Sequence, residues 1–511
     1  MVNLRVKILN KNILFNLSSQ FYVTIIAMLV VPFYLDKMGP EAYGLIAFYS
    51  MLQLAMNLLD VGLTPTVSRE VTRYRAGVVS SISLIHLYKL LIRFFYFIAI
   101  VVFLTFSFFS EIIADEWLSY EKLPVSEVLK SLIIISVCIS LRWVSGLYRG
   151  ILNGFERFYL LSSFNVAIAT FRFVGVIFIM QIFGFSVEVF FIHQLLVAIV
   201  EFITLRYKSL QLLPKLSINE KLVPLSIQPL KSVLKFSLTI AFTSSVWVFI
   251  TQTDKFILSG LLPLTEYSYF SVAVLVASGI MIVSGPISNV VMPRMANLYA
   301  KGSQCQMIDV YRYATQVVSL LAGSVSITLF YTSDALLFAW TGNNELVASS
   351  SSILSLYAAG NGLLVISSFV YYLQYAKGIL YYHVLGNVVL LFILIPSVVY
   401  FTNRFGGIGA AWVWFTINVF FFIFWVAFVH SKLQPKLHLD WLMNDVLRII
   451  TPGFIVGYVI DLVSFNSGSR LSSFLYCLIF GIVVLFFSSL FSSKLRLCSQ
   501  FCHFVKEKFC E

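Results

Sequence analysis

Apolar runs of about twenty residues follow one another along the chain, separated by short polar or basic breaks. Twenty helical residues rise about 30 Å, the thickness of a bilayer's hydrocarbon core. The pattern predicts spanning helices at 13–35, 43–66, 84–110, 128–150, 158–182, 185–206, 234–260, 266–292, 311–332, 348–374, 379–401, 407–430, 446–464 and 471–492. That is about fourteen spans. The stretch 333–347 reads as an outer loop. The first run, Ile13 to Leu35, is too long for a signal sequence and lacks a small-residue cleavage site, so it is expected to remain as the first helix.

The pattern is written twice. Ser18-Ser19 opens one long apolar run and Ser244-Ser245 opens another. A basic hairpin follows each: REVTRYRAG from Arg69 to Gly77, and RMANLYAKG from Arg294 to Gly302. Asn165-Val166 then answers to Asn387-Val388, and Phe183-Gly184 to Phe405-Gly406. One order at one offset of roughly 225 residues argues for internal duplication. Repeated halves with a substrate path between them are a common construction of transporters. Each copy holds an even number of helices, so both begin on the same side and the repeat is parallel, with its pseudo-two-fold axis along the membrane normal. The expected organisation is a first lobe at 1–207 with helices one to six, a cytoplasmic linker at 208–231, a second lobe at 232–432 with helices seven to twelve, and a segment 433–511 with the last two helices and a cytoplasmic tail.

Composition agrees with lipid as the solvent. The 511 residues are 59% hydrophobic and 11% charged, with mean hydropathy +0.91. The net charge of +12 reads as cationic loops rather than a nucleic-acid surface. With a cytoplasmic N-terminus, the inner segments hold Arg69, Arg73, Arg75, Arg149, Arg157, Lys208, Lys231 and Arg294 among many others, while the outer loops hold only Lys37, Lys122, Arg404 and Arg470. That asymmetry predicts both termini inside. The longest outer loop is acidic, with Glu111, Asp115, Glu116, Glu121 and Glu127. Cys498, Cys502 and His503 fit no common zinc spacing, so no metal site is expected. No phosphate-cradling glycine loop occurs, which argues against direct use of ATP, and no catalytic residue is expected.

Ionisable groups inside spans are costly and usually face a cavity or a partner. Arg142 lies in the fourth span beside Trp143, Arg172 near the middle of the fifth, and Arg93 in the third. Guanidinium groups hold phosphate in bidentate fashion, so the three are candidates for an anionic head-group site. Snorkelling and interhelical pairing are the competing accounts. Asp254 and Lys255 stand side by side in the seventh span, about 100° apart around a helix. They are candidates for ion coupling or for contacts between the lobes. Asp60 joins them, with a structural role near Arg69 as its competing reading. Glu201 is expected to pair with Arg206, and His193 and His383 to be packed histidines. Gly285-Pro286 in the eighth span is the preferred hinge.

Five segments carry a family likeness: NLSSQF (Asn16 to Phe21), FYLDKMGPEAYGL (Phe33 to Leu45), LLDVGL (Leu58 to Leu63), SREVTRYR (Ser68 to Arg75) and TDKFILSGLL (Thr253 to Leu262). The chain resembles the polysaccharide-biosynthesis branch of the multidrug/oligosaccharidyl-lipid/polysaccharide exporter superfamily, and within it the Wzx-type O-antigen flippases. The resemblance implies an all-α, two-lobed bundle of the same plan as the multidrug exporters. It implies that an oligosaccharide on undecaprenyl pyrophosphate is carried from the cytoplasmic to the periplasmic leaflet of a bacterial inner membrane by alternating access. No cofactor is implied, and a proton or sodium gradient is the candidate energy source. Membrane lipids, a polysaccharide polymerase and a chain-length regulator are candidate partners; nucleic acid is not. A small-molecule antiporter of the same fold would be expected to keep acidic groups in its cavity, where this first lobe keeps arginines. A polysaccharide polymerase or ligase would need a larger outer loop than 111–127 or 333–346.

Overall fold

The computed structural model describes residue 15 and residues 18–60, 62–215, 246–463 and 468–492. These are helical almost throughout, with one isolated bridge between Ser119 and Pro263. Among the described residues, eleven helices are long and apolar enough to cross a membrane, so the chain is a multi-pass membrane protein. One of the eleven, Tyr381–Leu433, is two spans, because Gly406 breaks it at φ 61° and ψ −148°. Ser244-Ser245, the linker from residue 216 and the cysteines of the tail lie outside the described residues.

The chain forms two compact units, Met1–Ser268 and Tyr269–Glu511. In the first, α1 is Ser18–Met38, α2 Pro40–Ala55, α3 Leu63–Arg75, α4 Ser81–Phe108, α5 Val125–Gly154, α6 Phe158–Phe183 and α7 Val187–Leu212. A further helix, α8, covers 246–261. The second expected span is thus broken, with a 3-10 turn at Met56–Leu58 between α2 and α3.

Helix α5 is the centre of this unit because one of its faces is made of small residues. A side chain on Gly150 would meet the carbonyl oxygen of Thr64 at 2.8 Å, and one on Gly154 that of Ser68 at 2.6 Å. Their absence lets α3 lie against α5 backbone to backbone, the small-residue packing that membranes favour. Serines supply the polar contacts. Ser140 donates to the carbonyl of Ala99 at 3.0 Å, and Ser209 of α7 to that of Tyr148 at 3.0 Å.

The connection between α4 and α5 is ordered by Glu41, from the GPE segment at the start of α2. Its buried carboxylate accepts the backbone N–H groups of Glu121 at 3.0 Å, Lys122 at 2.9 Å and Leu123 at 3.0 Å. The same connection reaches α8, where Trp117 Nε1 donates to Ser259 Oγ at 3.1 Å. Hydrogen bonds to a charged acceptor contribute about 1.5–3 kcal/mol each. Glu41→Ala is therefore expected to cost at least about 3 kcal/mol and to expose 118–124 to proteolysis. Chemical unfolding and limited digestion in detergent check both.

The second unit has its own core, with Tyr311, Phe369 and Trp441 fully enclosed. Arg312 Nε donates to the buried Asp445 at 2.6 Å, and Gln316 Nε2 to the same carboxylate at 2.7 Å. The landmarks of the repeat fold alike in the two units. Gly77 and Gly302 each close a helix, at φ 75° and 76°. Gly184 and Gly406 both have positive φ, at 98° and 61°, and each marks the turn into the next span. Only glycine takes that conformation cheaply. One loop expectation needs correction: 333–347 contains a helix, Ser333–Thr341, which at nine residues is too short to cross a bilayer.

Candidate functional site

A cavity of about 490 Å³ lies within the first unit, bounded by α1, α2, α5, α6 and α7. Its polar wall is built in two rungs. Arg142 and Arg149 are seven residues apart on α5, and Gln194 and Glu201 seven apart on α7. Seven residues return a helix to nearly the same face, so each helix presents two groups in line, about 10 Å apart.

On the first rung Arg142 donates from Nη1 to the hydroxyl of Tyr49 at 2.7 Å and to Gln53 Oε1 at 3.4 Å. Its Nη2 meets Gln194 Oε1 at 3.5 Å. On the second rung Arg149 donates to Glu201 Oε1 at 2.6 Å and to Asn165 Oδ1 at 2.5 Å. The two rungs are joined by Glu201 Oε2, 3.6 Å from Arg142 Nε.

Arg172 faces these rungs from α6, where the helix is wound as a π-helix over Thr170–Gly175. Such segments leave backbone groups without their usual partners and often mark functional sites. Here side chains answer two of the carbonyls: Gln194 Nε2 donates to Arg172 O at 3.0 Å and the Tyr34 hydroxyl to Phe173 O at 2.8 Å. The Arg172 guanidinium donates to Gln53 Oε1 at 2.9 Å and lies 5.8 Å from the Tyr49 ring centroid and 5.1 Å from that of Phe173. No carboxylate forms an ion pair with it among the described residues. Among the described residues, three arginines and one glutamate line the cavity, a surplus of two positive charges. Donors at these positions fit a multiply charged oxyanion.

The arginines expected at 142 and 172 therefore meet at one cavity. Arg93 is exposed on α4 and is not among the lining residues. Asp60 accepts the backbone N–H of Thr64 at 3.2 Å and its hydroxyl at 2.7 Å, at the start of α3. Asp254 is buried in α8 and accepts the Lys255 N–H at 2.7 Å, while Lys255 Nζ lies 3.4 Å from Gln252 Oε1. Gly285-Pro286 lies in the first turn of the helix Ser284–Ala300, which follows a 3-10 turn at Gly279–Val283. His383 pairs with Asn387 at 3.1 Å, whereas Nδ1 of buried His193 has no hydrogen-bond partner among the described residues. Glu201 corrects an expectation: it pairs with Arg149 and Arg142 rather than Arg206. Five residues of helix turn a side chain about 140° away, so Arg206 cannot reach the same partner. Arg149, Glu201, Gln53 and Asn165 are cavity residues that the sequence reading missed.

A family model described as "Polysaccharide biosynthesis protein" matches residues 9–299. Among solved structures, a lipid II flippase MurJ in an inward closed conformation is similar at 18% identity and TM-score 0.72, covering 94% of this chain and 99% of that one. An inward-facing multidrug resistance MATE family transporter of the MOP superfamily is similar at 14% identity and TM-score 0.60, covering 81% and 96%. A MOP superfamily transporter from Pyrococcus furiosus is similar at 15% identity and TM-score 0.52, covering 82% and 94%. A search of curated proteins finds no significant match. At these identities the structural likenesses establish the fold.

Proposed function

The chain belongs to the polysaccharide biosynthesis protein family, and from that premise we propose that it is a flippase for a glycan linked to a polyprenyl diphosphate. The proposed substrate is an O-antigen or related repeat unit on undecaprenyl pyrophosphate. It moves from the cytoplasmic to the periplasmic leaflet of a bacterial inner membrane, through a protein with both termini cytoplasmic. The observation that carries this reading is the surplus of positive charge inside a cavity lined by membrane helices. Keeping Arg142 and Arg172 there costs solvation, and a function that handles anions gives that cost a purpose. A diphosphate offers oxygens to several arginine forks at once, and the bulky glycan needs a path rather than a catalytic group. Transport needs no bond to be broken in the substrate, and the work is supplied by an ion gradient.

The test is reconstitution in liposomes with a fluorescent undecaprenyl-diphosphate oligosaccharide. The expected result is a protein-dependent appearance of label in the opposite leaflet, read with a membrane-impermeant quencher. No acceleration over protein-free liposomes overturns the proposal. Accumulation of an ethidium-like cation without any glycan movement assigns the protein to the antiporters instead.

A further inference from the structure

Glu201 is held in a way that ordinary ion pairing does not require. Its side chain is 8% exposed and lies between two arginines of the cavity wall. It bonds Arg149 closely, at 2.6 Å, and Arg142 loosely, at 3.6 Å. The second distance is an electrostatic contact and too long for a hydrogen bond. Arg142 Nε is accordingly a buried donor without a hydrogen-bond partner among the described residues, on a side chain only 5% exposed. The hydrogen bonds Arg142 does make go to neutral oxygens, those of Tyr49, Gln53 and Gln194. Unsatisfied buried donors are expensive, and more so on a charged group. An anionic oxygen placed against the Arg142 fork would fill that deficit better than Glu201 does.

We propose that Glu201 is an internal counter-anion that competes with the head group: it shares itself between Arg149 and Arg142 until a phosphate group arrives, and then yields Arg142 while keeping Arg149. The inference rests on the anion-cavity reading given above and adds to it the residue that sets how tightly the anion is held. A site of three unopposed arginines would bind a diphosphate and keep it. One carboxylate on the same rungs weakens the grip and lets the glycan leave on the far side. Removing a competing charge then has a signature that a structural ion pair does not share, since it tightens binding.

Inorganic pyrophosphate is the probe, titrated calorimetrically into the full-length protein in nanodiscs at fixed, low ionic strength, where charge interactions are least screened. Glu201→Gln keeps the volume and a hydrogen-bond acceptor and is expected to bind pyrophosphate at least tenfold more tightly than the wild type. Asn165→Asp adds a second carboxylate beside Arg149 and is expected to bind at least tenfold more weakly. Unchanged or weaker binding in Glu201→Gln overturns the proposal. Should that variant not fold, wild-type affinity in Asn165→Asp overturns it. Pyrophosphate binding that is absent from both the wild type and Glu201→Gln, or that is undiminished in Arg142→Ala, overturns the anion cavity itself and this inference with it.

Discussion

Arg142→Ala is expected to lower glycan translocation in liposomes at least 100-fold, a change worth about 2.7 kcal/mol of transition-state free energy. The effect should be this large because Arg142 stands where both rungs meet. It touches Tyr49 of α2, Gln194 of α7 and, more loosely, Glu201. Its loss removes the fork that an oxyanion would occupy and leaves Arg149 still neutralised by Glu201, so the cavity loses its unopposed charge on that wall. The fold should survive, since Glu201 keeps its 2.6 Å partner. Thermal unfolding of the variant is therefore expected to fall by only a few degrees. Arg142→Lys keeps the charge but not the planar fork, and should recover transport only in part. Arg93→Ala, an exposed site on α4 away from the cavity, should leave transport unchanged. Normal surface glycan in cells carrying Arg142→Ala, together with normal display in Arg172→Ala, would remove the cationic cavity from the mechanism.

Hydropathy made the spans legible, since a twenty-residue apolar run has few alternatives to a membrane helix. It also made Arg142 and Arg172 conspicuous, as charges deep inside such runs. Arg149 was hidden by the same measure. It lies near the end of α5, where the apolar run fades and a basic residue looks like part of an inner loop. Its spacing of seven from Arg142 was nevertheless in the sequence, as was the same spacing of Gln194 and Glu201. Applied to charged positions, helical periodicity would have put all four on two facing stripes. What one sequence does not contain is which stripes meet. Arg206 is the basic residue nearest to Glu201 in sequence, and no local signal names a partner 52 residues away. The π-helix at Thr170–Gly175 was equally invisible, for its cause is tertiary: Gln194 and Tyr34 receive the backbone carbonyls that it frees. The GPE segment showed its family but not its work, because the three N–H groups that Glu41 accepts lie about eighty residues further along.

Stability should depend most on the pair that binds least substrate. Arg149→Ala is expected to destabilise the protein by about 3–5 kcal/mol, because it strands a buried carboxylate. Glu201 would be left with Arg142 at 3.6 Å, and Asn165 Oδ1 would lose its donor. Arg149 is itself 29% exposed, which lets water screen part of the loss and favours the lower end of that range. The penalty belongs to the uncompensated charge and not to the missing contact, so removing the charge should relieve it. Arg149→Ala combined with Glu201→Gln is expected to recover more than 1 kcal/mol relative to the sum of the single variants, a coupling of the size found for residues in one network. Chemical unfolding of the four proteins in the same micelles gives that number directly. Additive losses would mean that Arg149 and Glu201 stabilise the unit through separate contacts, Arg149 through Asn165 and Glu201 through Arg142. A measured coupling would fix Glu201 as the charge that keeps two arginines tolerable in a span-lined cavity, and with it the reason that α5 and α7 carry their polar groups at the same interval.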